Sequence, residues 1–378
     1  MNEKMIIPKA LQINIDDVGW WCGSDDRSIK GPSRTAMPRF HRVEDYQAIV
    51  DLGKALNMEI TCAFILGEWD MEDRLGKEVR YFSHFGENWN NSAYRNADDM
   101  KQAVEIINGS PYIDIALHGL YHGYYTPEVE NPDISDYYYR KEGVLYPVPE
   151  DEIRNRLDHF WRICEYHGIN KNITHFIPPS GAYRDFDLTR ILKDYGIKYS
   201  GPLFSSIFHY GANHPELIDG VYVENDIITV DRVTDVFPWD EVESDFNTLT
   251  ETYEIMGFHW PNMLNMEPEK QNETLNTKIL PYFRRCAETY GTVISRNMGF
   301  CATQALVRKF AKVEQMDNVW VIDLNDVPEA SGKLDTFFIS AKTPPVKFEN
   351  CTIGEVQEKK EFINYEIKPE GKIVKIHF

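Results

Sequence analysis

The sequence has no run of 18 or more apolar residues, so no segment of it reads as a membrane-spanning helix. It also has no Cys-x-x-Cys pair. Cys22, Cys62, Cys164, Cys286, Cys301 and Cys351 are scattered over 378 residues. Such spacing offers neither a zinc cage nor a disulfide framework, and it reads as reduced, mostly buried thiols. No Gly-x-Gly-x-x-Gly or Walker loop follows an apolar run, which counts against a nucleotide-binding sheet. Internal repeats and low-complexity stretches are missing too. Positive charge is scarce: 40 Lys and Arg face 60 Asp and Glu, a formal net charge of −20. A surface of that sign repels nucleic-acid phosphates and anionic lipid, so neither is an expected partner. Residues 1–8 carry no apolar signal core and no small-residue cleavage site, so a cytoplasmic location is expected.

Hydrophobic residues make up 42% of the chain, enough for a full-sized core. Short apolar runs alternate with helical stretches. Leu11-Gln12-Ile13-Asn14-Ile15-Asp16 alternates with the period of a strand. Further strands are expected at 59–66, 112–118, 174–178, 198–202, 227–230, 252–259 and 319–324, with helices at 43–57, 97–108, 150–167 and 188–195. This order implies parallel βαβ units, and the preferred fold is a distorted (β/α) barrel of seven or eight strands. Residues 1–330 are assigned to that domain. From about Ser331 the texture becomes strand and turn. Fewer than 50 residues hold a core poorly alone, so 331–378 is expected as a small β appendage packed on the barrel.

Two connections are long, about 67–96 and 119–149. The second holds Tyr121, Tyr124, Tyr125, Tyr137, Tyr138, Tyr139 and Tyr146, seven of the 21 tyrosines. In a βα barrel both loops rise from the C-terminal rim, where active sites are built. They are expected to offer flat aromatic faces to a ligand.

The residues able to carry chemistry fall on the same rim. Asp16-Asp17 closes the first strand. His118 closes the third, and His122 follows four residues later, a spacing suited to one metal ion. With Asp17 they form a set of two histidines and one carboxylate, which leaves positions open for water and substrate. His259 ends the run Ile255-Met256-Gly257-Phe258.

This order, with Phe176-Ile177-Pro178-Pro179-Ser180-Gly181 between the histidine motifs, resembles the NodB-type polysaccharide deacetylases, the fourth carbohydrate esterase family, over about residues 10–300. The resemblance implies removal of N- or O-acetyl groups from a carbohydrate. It implies Asp16 as general base, His259 as general acid, and Asp17, His118 and His122 as ligands of a divalent metal, Zn²⁺ first, with Co²⁺, Ni²⁺ or Fe²⁺ as substitutes. Trp20, Tyr121, Tyr124, Pro179, Ser180, Gly181, Arg184 and Trp260 are the expected substrate contacts, with a backbone N–H near Ser180-Gly181 on the oxyanion. Asp231 and Asp235 are candidate partners of the acid histidine. Three positions depart from the family pattern. Ile177 stands where an arginine orients the base, with Arg184 as a substitute; Gly119 replaces Ser or Thr; Gly257 replaces Leu. The competing readings are a non-sugar amide hydrolase or a glycosidase on the same scaffold, and an inactive glycan-binding barrel.

Overall fold

In the first long strand, β1 (Lys9–Val18), the alternate residues Leu11, Ile13 and Ile15 are apolar and fully buried in the main core. The intervening Gln12 and Asn14 are buried as well, but they turn the other way. Gln12 donates to the Glu59 carbonyl at 2.8 Å, and the Asn14 amide lies close to the backbone of Gly201. The alternation read from sequence therefore separates an apolar shell from a polar interior.

The structure, a computed structural model, describes residues 4–20, 37–91, 96–129, 135–181, 187–209, 220–233, 236–330 and 335–378. Around β1 stand α1 (Val43–Leu56), β2 (Ile60–Ile65), α2 (Ala97–Gly109), β3 (Ile113–Gly119), α3 (Glu150–His167), β4 (His175–Phe176), α4 (Asp187–Asp194) and β5 (Tyr199–Ser200). They are followed by β6 (Ile227–Val230), β7 (Arg232–Val233) and β8 (Ile255–His259). The fold is mixed α/β. Its main sheet runs β7-β8-β1-β2-β3-β4-β5-β6, each of these pairs parallel, and Val221–Glu224 adds an antiparallel edge to β6. Its two ends meet in one segment. β6 pairs with β5, β7 pairs with β8, and a single residue, Asp231, separates β6 from β7. The sheet is thus strongly curled, with the C-terminal ends of its strands at one rim.

The helices form where the pattern predicts. In α3, Ile153, Leu157, Phe160 and Cys164 are buried at three- and four-residue spacing, and Gly168 closes the helix in the left-handed region. The helical segment 271–287 escapes the sequence reading, and so does α5 (Met298–Phe310). Cys301, Ala302, Gln304, Ala305, Leu306 and Val307 are all buried, so its apolar positions do not form a single stripe.

The C-terminal region forms two four-stranded antiparallel sheets. One orders Met5–Ile6, Phe337–Ala341, Ile363–Pro369 and Cys351–Glu358; the other orders Lys312–Met316, Val319–Asp323, Ile373–His377 and Lys347–Glu349. The expected strand at 319–324 therefore belongs here and not to the curled sheet, and the β-rich region reaches back to Lys312. Phe337, Ile339 and Ile367 of one sheet share a core with Ile322, Val374 and Ile376 of the other and with Ala305 and Leu306 of α5. Gln304 ties the parts together. Its amide nitrogen donates to the carbonyls of Pro8 and Phe338, and its oxygen accepts from the Phe338 N–H. The five cysteines among the described residues are unpaired, four of them buried; Cys22 lies outside the described residues.

Candidate metal centre

Two consecutive residues of a regular strand point to opposite faces. Asp16 and Asp17 nevertheless both line one cavity of about 240 Å³ at the C-terminal rim. The register between β1 and β2 shifts between Ile15 and Val18, and Asp17 has a φ of 62°. This bulge turns the second carboxylate back into the site. Asp16 lies opposite His259 in the β1/β8 register, so the adjoining strand brings that histidine to the same rim.

His118 sits one residue before the end of β3. Its Nδ1 lies 2.7 Å from the Ile177 carbonyl and its Nε2 3.1 Å from Asp17 Oδ1. A carbonyl only accepts, so Nδ1 carries a proton and Nε2 faces Asp17. His122 Nε2 is 3.9 Å from Asp17 Oδ1, and His259 Nε2 is 3.6 Å from Asp17 Oδ2. Burial by itself would raise the Asp17 pKa, but His118, His122 and His259 around it hold the carboxyl far below the usual range. Burial would likewise depress His118, yet the Asp17 carboxylate outweighs it and raises the imidazole.

One ligand atom each from Asp17, His118 and His122 lies within 4.8 Å of the others, and all three residues are buried. The donor set fits a divalent cation. Two imidazoles and a carboxylate converge, and a backbone carbonyl fixes the tautomer that leaves Nε2 free to coordinate. The same three atoms without a cation would be a dense hydrogen-bonded cluster.

Asp16 is held by a residue that sequence reasoning missed. The Arg232 guanidinium donates to Asp16 Oδ1 at 2.7 Å, and Arg232 is only 2% exposed. Arg232 arrives on β7, across the curled sheet from Ile177. Ile177 does other work. Its side chain forms a small apolar cluster with Ala63 and Ala116, and its carbonyl orients His118. The signal for Arg232 was present, an arginine continuing the apolar run Ile227-Ile228-Thr229-Val230. Arg184 lies outside the described residues. Removing one partner of a buried pair strands the other charge, so Arg232→Met should lower stability by about 3–5 kcal/mol. Thermal melts of Arg232→Met against the parent check this, and a melt indistinguishable from the parent contradicts it.

Among the described residues, Ser180, Gly181, Leu203, Ser206 and Trp239 complete the cavity wall. Gly181 donates its N–H to the Pro178 carbonyl at 3.2 Å, so it is already used within its own turn. Pro179 is buried beside it. Trp239, 40% exposed, is the aromatic residue on the wall, another residue the sequence reading missed.

The expected aromatic contacts lie elsewhere. Trp20 packs on Tyr46 and Trp69, Tyr121 on Phe82 and Trp89, and Tyr124 on Tyr139 under the Arg156 guanidinium. Trp260 stacks on His41 with ring centres 3.8 Å apart. All four are buried, and none lines the cavity. The tyrosine-rich connection is largely a packed layer, with Tyr121, Tyr124, Tyr137 and Tyr138 buried, Tyr125 and Tyr139 half-buried and Tyr146 exposed. A sequence rich in tyrosine reads as an exposed platform or as a core, and the neighbouring Phe82 and Trp89 in the other long loop decide for a core.

Asp231 accepts from the Phe204 N–H at 2.8 Å. Asp235 lies outside the described residues. Among the described residues, the buried His259 Nδ1 has no hydrogen-bond partner. Burial pushes the Asp231 pKa up to about 6. A carboxyl raised in the folded state binds its proton more tightly there than in the unfolded chain. Its contribution to stability is therefore largest in acid and falls as the pH rises from about 4 to 6. The Tm of Asp231→Asn relative to the parent should climb across that window; a constant difference would contradict the assignment.

No family model and no curated protein matches this sequence. Among solved structures, a 4-alpha-glucanotransferase from Thermococcus litoralis is similar at 12% identity and a TM-score of 0.38, over 76% of this chain and 39% of that one. A GH57-type branching enzyme from the hyperthermophilic archaeon Pyrococcus horikoshii is similar at 13% identity and a TM-score of 0.36, over 76% of this chain and 63% of that one. The chain thus spans less than two thirds of the length of either. No helix among the described residues is long and apolar enough to cross a membrane.

Proposed function

We propose that the protein is a metal-dependent hydrolase that removes an acetyl group from an N- or O-acetylated carbohydrate, on a divergent NodB-type scaffold whose curled sheet is a distorted barrel of seven or eight strands. The observation that carries the reading is the convergence of Asp17, His118 and His122 beside an Asp16 held by Arg232. Asp17, His118 and His122 would hold the cation, with Zn²⁺ the first choice. When bound, such an ion supplies Lewis acidity, which acidifies water and polarises an acyl carbonyl.

The remaining work falls to the chain. Asp16 takes a proton from the attacking water, and Arg232 fixes which carboxylate oxygen is free to do so. The water oxygen bonds to the acyl carbon, the C–N or C–O bond breaks, and His259 delivers a proton to the departing nitrogen or oxygen. Trp239 offers its exposed face to a sugar ring at the mouth of the cavity.

The second reading is a glycosidase on the same scaffold. That reaction needs one carboxyl kept protonated as an acid. Among the described residues, Asp16 and Asp17 are the two carboxylates on the wall; Asp17 is held ionised by three imidazoles, and Asp16 is paired with Arg232. Incubation with a panel of N-acetylated sugars and added Zn²⁺ or Co²⁺ tests the proposal. Acetate release from at least one of them is expected. A glycosidic cleavage product without acetate would sink the reading.

A further inference from the structure

We infer that Asp136, which lies outside the cavity wall, is the positioning residue that sets His122 for metal binding; the inference rests on the metal reading proposed above. His122 is presented by an unusual turn. Gly119 has a φ of 150° and His122 a φ of 59°, so two residues out of four occupy backbone regions that L side chains rarely adopt. Such a turn persists only if its surroundings hold it.

The Asp136 carboxylate does the holding. It is fully buried; Oδ2 accepts the His122 N–H at 2.8 Å, Oδ1 accepts the Tyr121 N–H at 3.3 Å, and the Leu120 N–H also bonds to it. Three successive backbone donors thus converge on one side chain. The space it occupies explains Gly119. A Cβ at that position would stand 2.1 Å from Asp136 Oδ2. The glycine read from sequence as a departure is therefore the complement of this carboxylate.

The anchor is itself anchored. Arg156, 1% exposed, faces Asp136 with its charge and donates to the Arg80 carbonyl at 2.7 Å and to the Glu152 carbonyl at 3.3 Å. Through Asp136 and Arg156, the turn bearing His122 is linked to the other long loop and to α3. Outer groups that orient metal-bound histidines typically change metal affinity about 10–100-fold when replaced.

The test uses the full chain and two probes, Zn²⁺ in competition with a chelator and the visible absorption spectrum of bound Co²⁺. Asp136→Asn keeps the volume but sets an NH₂ among N–H donors. Its Zn²⁺ Kd should rise about 10–100-fold, with a changed Co²⁺ spectrum. Val374→Ala, in the core of the C-terminal sheets, should lower the Tm while leaving Kd and spectrum at parent values. A folded Asp136→Asn with the parent Kd and spectrum overturns the inference. If Asp136→Asn does not fold, Gly119→Ala, whose Cβ contests the same oxygen, decides by the same measurements, and a parent-like Kd overturns it. If the parent takes up no Zn²⁺ or Co²⁺, the proposed function falls first and the inference with it.

Discussion

Asp16→Asn is expected to lower kcat on an N-acetylated sugar by about 10²–10⁴-fold while Zn²⁺ still binds with parent affinity. The substitution keeps the shape of the side chain and an oxygen for the Arg232 guanidinium, which now lies 2.7 Å from Oδ1. It removes the ability to take a proton. Asp16 is not one of the three clustered ligand residues, so metal content and activity should separate cleanly. Steady-state kinetics beside a metal titration make the separation visible. Undiminished turnover in Asp16→Asn would remove Asp16 from the chemistry.

His118→Ala should behave in the opposite way, losing metal and activity together. Its Nε2 is the nitrogen that faces Asp17 at 3.1 Å, and its other nitrogen is committed to the Ile177 carbonyl. Truncation removes one of three protein donors and leaves Asp17 with only His122 and His259 for company. The loss in Zn²⁺ affinity should exceed the roughly 100-fold upper range seen when outer, orienting groups are replaced. Chelator competition measures it. A parent-like affinity would show that His118 serves Asp17 only as a hydrogen-bond donor.

Much of the frame was legible because its signals are local. The period-two run at Leu11–Asp16, the apolar spacing in 150–167 and the strand-end histidines all state their structure within a few residues. What escaped was set by contacts distant in sequence. Arg232 meets Asp16 across 216 residues, so the arginine was visible at the end of its apolar run but its partner was not. Asp136 reaches back 14 residues to His122, inside a loop that read as an aromatic surface. Tyr121 and Tyr124 are buried there because Phe82, Trp89 and Arg156 come to meet them, a packing that composition cannot express. The two carboxylates at 16 and 17 were visible as a pair, but the bulge that turns both into one cavity was not.

Elemental analysis of the protein purified without chelators, beside His118→Ala prepared in the same way, tests the central claim most directly. A single Zn²⁺ or comparable divalent ion per chain is predicted in the parent and its loss in His118→Ala. A parent free of metal that also takes up none when titrated with Zn²⁺ would contradict it.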